Sequence, residues 1–448
     1  MIIKNQNKLA TTELRRQALK IIEAGIERVL PGNIMRSALS YDPIGKSLTV
    51  KDATYQVANG RIFVIGGGKA SGLMAKALED TIGVKNIFTG IVNCKGGVYG
   101  TKRIKVIKAG HPIPDKMGLN GVKQMLALKD KHSINGNDMI ICLISGGGSA
   151  LMPCPVDGIS LEDKQETTQL LLNCGAEIHE INAVRKHLSR IKGGRLGEFY
   201  SPTKVVSLII SDVIGDDLDT IASGPTYPDS SPFEDAYGVL EKFNLTAKVP
   251  EGILSYLKRG CRGEVAETPK SLTNCHNHII GSNRLALEAM AQKAAELGFT
   301  PVIVTAEQKG DTAEAAYMRA GEILEGKYQD YNAILIGGET TPKLSEDAGK
   351  GGRNQHYAAV SMLAMKSYPG HWVAASVGTD GSDYLPDVAG AVVDNAALLR
   401  AASRSIEVKA YIDRFDSNTL FEKIGGALII TGNTGTNVSD VMLYLLGQ

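Results

Sequence analysis

The feature that most limits how this chain can fold is a recurring join, in which a short unbroken apolar run is followed at once by glycine. It appears as VIGGGKAS, LISGGGSA, LIGGET and ITGNTG, in both halves of the sequence. An apolar run without polar alternation reads as a strand buried on both faces. Such runs stand at residues 61–65, 87–93, 104–108, 138–144 and 205–210, then at 301–304, 333–336, 372–377 and 427–431. Helical apolar spacing fills the intervals, at 12–30, 69–80, 116–131 and 163–188, then at 283–298, 311–325 and 354–366. Buried strands alternating with amphipathic helices predict an α/β fold with a mostly parallel sheet covered on both faces. The joins are too unevenly spaced for a solenoid.

The 448 residues suggest two or three domains. Residues 246–277 are polar and broken by Pro and Gly, and read as a linker. The predicted division is an N-terminal Rossmann-like three-layer α/β/α domain, 1–262, and a C-terminal α/β domain, 263–448. A net charge of +1 argues against a general nucleic-acid binder. No apolar run approaches the length of a membrane span, and the N-terminus has no apolar signal segment. The six cysteines are scattered, without a C-x-x-C pair, which suits reduced thiols and a cytoplasmic location.

In an open parallel sheet, ligands bind beyond the carboxyl ends of the strands. Gly66-Gly67-Gly68-Lys69 and Ser145-Gly146-Gly147-Gly148-Ser149 both lie at such ends. Consecutive glycines let backbone N–H groups approach a ligand, and a following helix adds unpaired donors. Both turns therefore read as anion sites, with Lys69 adding a full charge to the first and Ser149 a hydroxyl to the second. A plain tight turn is the competing reading. The phosphate-loop pattern is missing, because Ala70 follows Lys69 and the earlier glycine is absent. The dinucleotide pattern fails too, since its third glycine falls at Ser71 in one turn and Leu151 in the other.

The acidic stretch Ser211-Asp212-Val213-Ile214-Gly215-Asp216-Asp217-Leu218-Asp219 follows the run VVSLII. A carboxylate at a strand end suits Mg²⁺, or can accept a hydroxyl proton. Asp212, nearest the strand, is the candidate for either role, and Asp216, Asp217 and Asp219 read as including turn-capping bystanders. Gly224 in the following ASGPT is a further binding candidate. In the second half, Arg353 falls in the first turn of a helix, where the helix dipole opposes a cation. Two readings are open: it stabilises transferring phosphate charge, or it pairs with a nearby carboxylate. Asn283, Glu339 and Asp380 stand at further helix starts and polar strand ends and complete the binding set. His276 and His278 lack the spacing of a metal site, and His111, before Pro112, reads as fixing a turn. No G-x-S-x-G elbow supports a serine hydrolase.

Taken in order, VIGGGKAS, GHPIPD, LISGGGSAL, IHEINAVRKHLSRIKGGRL, SDVIGDDLDTIASGPT, GGRNQ and GTDG resemble the glycerate 2-kinase family, whose C-terminal part is called MOFRL. The resemblance runs from about residue 12 to the C-terminus. It implies two α/β domains with a cleft between them, and an ATP- and Mg²⁺-dependent kinase that phosphorylates the 2-hydroxyl of D-glycerate. It also implies that the family's active-site lysine corresponds to Lys69 and its active-site arginine to Arg353. Older names in the family include hydroxypyruvate reductase, so an NAD(P)-dependent reductase is the alternative. Two departures are visible. His356 stands where the family commonly has Glu, and Ser382-Asp383-Tyr384-Leu385-Pro386-Asp387 replaces a common Gly-Pro-Thr-Asp stretch. The expected partners are small molecules, ATP and D-glycerate, with monomer and homodimer both open.

Overall fold

The computed structural model describes residues 1–57 and 60–447. The chain forms two compact units, one of Ile34–Ile280 and one of Met1–Asn33 with Gly281–Gln448.

The Ile34–Ile280 unit is built on a six-stranded sheet. Its order is Ile104–Lys108, Ile87–Cys94, Ile62–Gly67, Met139–Ser145, Lys204–Ile210 and Cys275–Gly281. The first five strands pair in parallel throughout. Every residue of Ile62–Gly67 and Met139–Ser145 is buried, which is why these strands show no polar alternation. Helix Lys116–Lys131 and the segment around Leu196 and Tyr200 close one core over Phe63, Ile65, Ile140 and Ile144. A separate helical core joins Leu171, Val184, Phe233, Leu240 and Leu257. Residues 39–56 add a small antiparallel three-stranded sheet.

The other unit also has six strands, but its sheet is mixed. Pro301–Gln308 and Ala333–Gly338 are parallel. Asp440–Leu446 then runs antiparallel to both Ala333–Gly338 and Trp372–Gly378. Gly390–Asp394 and Leu428–Ile429 continue antiparallel to the edge. All of Asp440–Leu446 is buried, so apolar continuity marks it as central without showing its direction.

Two boundaries differ from the expected division at 262/263. Residues 246–277 are not a plain linker, because they hold helix Glu251–Cys261 and the first three residues of edge strand Cys275–Gly281. The helix buries only Ile253, Leu257 and Gly260, and most of the strand is half-exposed, so both look polar in sequence. Helix Glu13–Arg28 belongs with the C-terminal unit, where it packs on helix Asn283–Glu296. The approach is close: a Cβ on Gly25 would lie 2.6 Å from Met290 Cγ. An apolar helix stripe announces burial but does not name the surface that covers it. No helix among the described residues is long and apolar enough to cross a membrane.

Candidate active site

In the Ile34–Ile280 unit the two glycine turns and the acidic stretch meet at the carboxyl ends of neighbouring parallel strands. Gly66, with φ +136°, sits so close to the next strand that a Cβ would fall 2.0 Å from the Leu143 carbonyl oxygen. Gly67 packs on Met152, and Gly68 on Ser145. The Lys69 N–H then donates to the Gly146 carbonyl at 2.8 Å, tying one glycine turn to the other. Ser145 is buried, and its Oγ accepts from the Ala70 N–H at 3.0 Å, so this serine clasps the start of helix Ser71–Ile82. Lys69 is half-buried, and its Nζ has no hydrogen bond or ion pair among the described residues.

The second turn carries the other groups. The Asp212 carboxylate lies directly over Gly146, where a Cβ would be 1.9 Å from Asp212 Oδ2. Gly147, at φ +76°, faces the His111 ring and the Lys69 stem; a Cβ there would stand 2.8 Å from His111 Nε2 and 3.2 Å from Lys69 Cγ. His111 is thus part of this cluster as well as of its turn. Burial, with the charges of Lys69 and Lys95, lowers its pKa to about 4, so the ring is neutral at neutral pH. Gly148 abuts Ala222, and Ser149 Oγ lies 2.8 Å from Ser223 Oγ.

The turn that carries Ser223 is strained. Ala222, Ser223 and Gly224 all have left-handed φ, at 52°, 60° and 57°. Residues of the long motif hold it: Lys192 Nζ donates to the Ala222 carbonyl at 3.1 Å, and the N–H groups of Gly193 and Gly194 donate to the carbonyls of Ser223 and Gly224. Burial pushes the Lys192 pKa well below its ordinary value. Lys186 is enclosed between Asp219 Oδ2 at 2.5 Å and Asp229 Oδ1 at 3.1 Å. Asp217 accepts from the Asp219 N–H and the Thr220 hydroxyl. The Asp217 carboxylate is thus engaged within the loop and that of Asp219 by Lys186 of helix Ile178–His187, while Asp212 stands at the glycine turn.

In the other unit, Arg353 opens helix Arg353–Ala364. Its guanidinium grips Asp440 through Nε at 2.6 Å and Nη2 at 3.1 Å, while Nη1 reaches Glu339 Oε1 at 2.7 Å. Burial works against this charge, but Asp440, Glu339 and Asp383 outweigh it and raise the Arg353 pKa above its ordinary value. The helix amides beside it are also taken: Asp383 accepts from the Asn354 N–H at 2.9 Å and the Gln355 N–H at 2.8 Å. That carboxylate offsets the unfavourable placing of a cation at a helix start. Asn283 Nδ2 donates to the carbonyls of Val438 and Asp440, and Asp380 Oδ1 accepts from the Ser382 N–H and hydroxyl. Asn283 thus anchors the last strand, and Asp380 shapes its own turn.

Residues 17–258 match the family described as "Domain of unknown function (DUF4147)", and residues 332–440 match the MOFRL family. The glycerate 2-kinase of Pyrococcus horikoshii is 40% identical over 443 residues, covering 96% of this chain and 98% of that protein. The chain belongs to the glycerate kinase family. The D-glycerate 2-kinase of Thermotoga maritima is 37% identical, with 97% of this chain and 98% of that protein covered. A crystal structure of glycerate kinase from Thermotoga maritima superposes with a TM-score of 0.84 at 36% identity, covering 97% of this chain and all of that one.

Of the residues that hold these groups in place, sequence reasoning missed Asp440, Asp383 and Ser223. Asp440 had a signal: it is the carboxylate that opens the apolar run DVMLYLL, opposite Gly338 and Gly378 in the sheet. Of the two departures from the family pattern, Tyr384 is exposed, whereas His356 is 3% exposed and stacks on Phe415 at 4.7 Å.

Neither His356 ring nitrogen has a hydrogen-bond partner, and burial, against the pull of Asp311, lowers its pKa to about 4. Its ordinary value is 6.5, so between the two the unfolded chain binds the extra proton. Its contribution is complete above pH 6.5 and is lost as the pH falls toward about 4. The full effect is about 3 kcal/mol. Urea midpoints followed down through this range should fall, and fall less in His356→Phe. An unchanged slope in the variant would show that His356 carries none of it.

Gly146→Ala should displace the Asp212 carboxylate from its place. A misplacement of this size lowers turnover roughly 100-fold. Steady-state kinetics beside a thermal melt checks this; full turnover in a folded variant would remove Asp212 from the reaction.

Proposed function

We propose that this protein is a glycerate 2-kinase that transfers the γ-phosphoryl group of ATP to the 2-hydroxyl of D-glycerate. The bond between Pγ and the β–γ bridging oxygen breaks, a bond from the substrate's 2-oxygen to Pγ forms, and the hydroxyl proton leaves. The products are 2-phosphoglycerate and ADP. The observation that carries this reading is the convergence of Lys69, the turn Gly146-Gly147-Gly148 and Asp212, within a family whose relatives bear the name glycerate kinase.

Phosphoryl transfer asks a protein for positioning and for charge where charge develops. Lys69 is a point cation on a flexible stem that passes Gly147, suited to anionic substrate oxygens. Hydrogen bonding of substrate oxygens is assigned to the backbone of the Gly146-Gly147-Gly148 turn, because the N–H groups of Gly68, Lys69 and Ala70 are engaged by Asn93, Gly146 and Ser145. Arg353 is assigned to the charge on the transferring group, with Asp440 and Glu339 fixing its plane. Asp212 is assigned as metal ligand or as acceptor of the hydroxyl proton.

Among the described residues no cluster of three or more His, Cys, Asp or Glu side chains forms a metal cage. Mg²⁺ commonly uses one or two carboxylates with phosphate oxygens, and Asp212 fits that habit. Bound there, Mg²⁺ would neutralise nucleotide phosphate charge. All six cysteines are free thiols, in keeping with a proposed cytoplasmic location.

Paired assays test the reading. ADP release on adding D-glycerate and ATP is expected, with no loss of NADH absorbance on adding hydroxypyruvate. The reverse pattern would establish the reductase, against which the missing dinucleotide glycine pattern already weighs.

A further inference from the structure

Asn93, near the end of strand Ile87–Cys94, is fully buried and is bonded to the segments of both glycine turns. Its carbonyl accepts from the Gly68 N–H at 3.2 Å, in the turn that carries Lys69. Its side-chain Nδ2 donates to the Leu151 carbonyl at 2.7 Å and to the Gly118 carbonyl at 2.8 Å. Carbonyls only accept, so the amide nitrogen must face these two partners, and the amide has one possible direction. Its Oδ1 faces Gly121, where a Cβ would fall 1.9 Å away, and has no hydrogen-bond partner. A buried acceptor left unpaired costs stability, and what the residue supplies in exchange is its two N–H donors.

Each of these bonds reaches a segment of the candidate site. Leu151 ends the single helical turn Gly148–Leu151, and its N–H is on the Gly147 carbonyl at 3.1 Å. Gly147 in turn faces His111 and the Lys69 stem. The α-helical partner of the Leu151 carbonyl would be the N–H of residue 155, but Pro155 has none, so the chain beyond cannot replace Asn93 by continuing the helix. Gly118 lies in the first turn of helix Lys116–Lys131, and its N–H donates to Asp115 Oδ1 at 2.7 Å. Asp115 closes the GHPIPD segment, which carries His111. One buried residue thus ties together the GGGK turn, the second glycine turn and the start of the helix behind His111.

We propose that Asn93 is a positioning residue for phosphoryl transfer, which sets the spacing of the Lys69 turn, the Gly147 turn and the His111 segment through its two side-chain donors. This rests on the glycerate kinase reading. Asn93 touches no substrate and acts through Gly68, Leu151 and Gly118. A shift of about 1 Å in groups that must meet one phosphoryl group costs ~100-fold in rate. A role in stability alone would instead lower the melting temperature and leave each folded molecule as fast as before.

Steady-state kinetics on the full-length protein, with thermal melts so that only folded molecules are counted, separates the two roles. Asn93→Ala should lower kcat per folded molecule ~10–100-fold. Asn93→Asp keeps the shape but, when ionised, sets carboxylate oxygens against two carbonyls; it should lose at least as much, and it decides if Asn93→Ala does not fold. Gly121→Ala pushes on the same amide from helix Lys116–Lys131 and should also lower kcat; it decides if neither substitution of Asn93 folds. Leu240→Ala, in the separate helical core, is the control, and should melt earlier yet keep kcat within about threefold of the wild type. A folded Asn93 variant with near-normal kcat would overturn the proposal. So would a loss of kcat in Leu240→Ala as large as that in Asn93→Ala, because any destabilisation would then produce it. A wild type that releases no glycerate-dependent ADP would instead remove the kinase reading, and this inference with it.

Discussion

Lys69→Ala is expected to lower glycerate-dependent ADP formation by ~10²–10³-fold, the usual cost of removing one preorganised positive or donor group from a developing charge. It should do so with almost no change in melting temperature. The reason is local. The backbone of Lys69 is held on both sides, by its N–H on the Gly146 carbonyl and by its carbonyl near Cys94 Sγ at 3.2 Å. The side chain contributes only its stem, against Gly147, and its Nζ holds no partner whose loss would leave a buried charge. A folded variant with near-normal turnover, in a coupled ADP assay beside a thermal melt, would show that the GGGK turn does not serve the reaction.

Arg353→Ala should behave differently, with a turnover loss of ~10³–10⁵-fold joined to a clear loss of stability. Asp440 is fully buried and meets the guanidinium through two hydrogen bonds. Removing the arginine leaves that carboxylate without its counter-charge, and breaking such a buried pair typically costs about 3–5 kcal/mol. Arg353→Lys restores a charge but not the planar two-point grip, so it should recover stability only in part. Urea unfolding and steady-state kinetics on the three proteins separate the effects. If Arg353→Ala loses stability but keeps its turnover, the arginine is a structural partner of Asp440 and no more.

The contrast between these two cations follows what could and could not be read in the sequence. The parallel sheet was legible because Ile62–Gly67 and Met139–Ser145 are buried on both faces and end in glycine. The meeting of Gly146 with Asp212 and of Gly147 with Lys69 was approachable for the same reason, since parallel strands end together on one edge. The mixed second sheet was not legible. Asp440–Leu446 is as apolar as any parallel strand, and only pairing reveals that it runs the other way. The pairing of Arg353 with a carboxylate was one of two open readings. The partner lies 87 residues away, beyond any local spacing rule. The contacts of Ser223 with Ser149 and with Asn182 join three separate segments, and nothing in the residue types alone foretells them.

The most direct measurement is phosphorus NMR of the product formed from ATP and D-glycerate by the wild-type protein. The expected spectrum shows 2-phosphoglycerate appearing in step with ADP, and no such signal from Lys69→Ala on the same timescale. Accumulation of 3-phosphoglycerate, or of no phosphorylated acid at all, would contradict the chemistry assigned to this site.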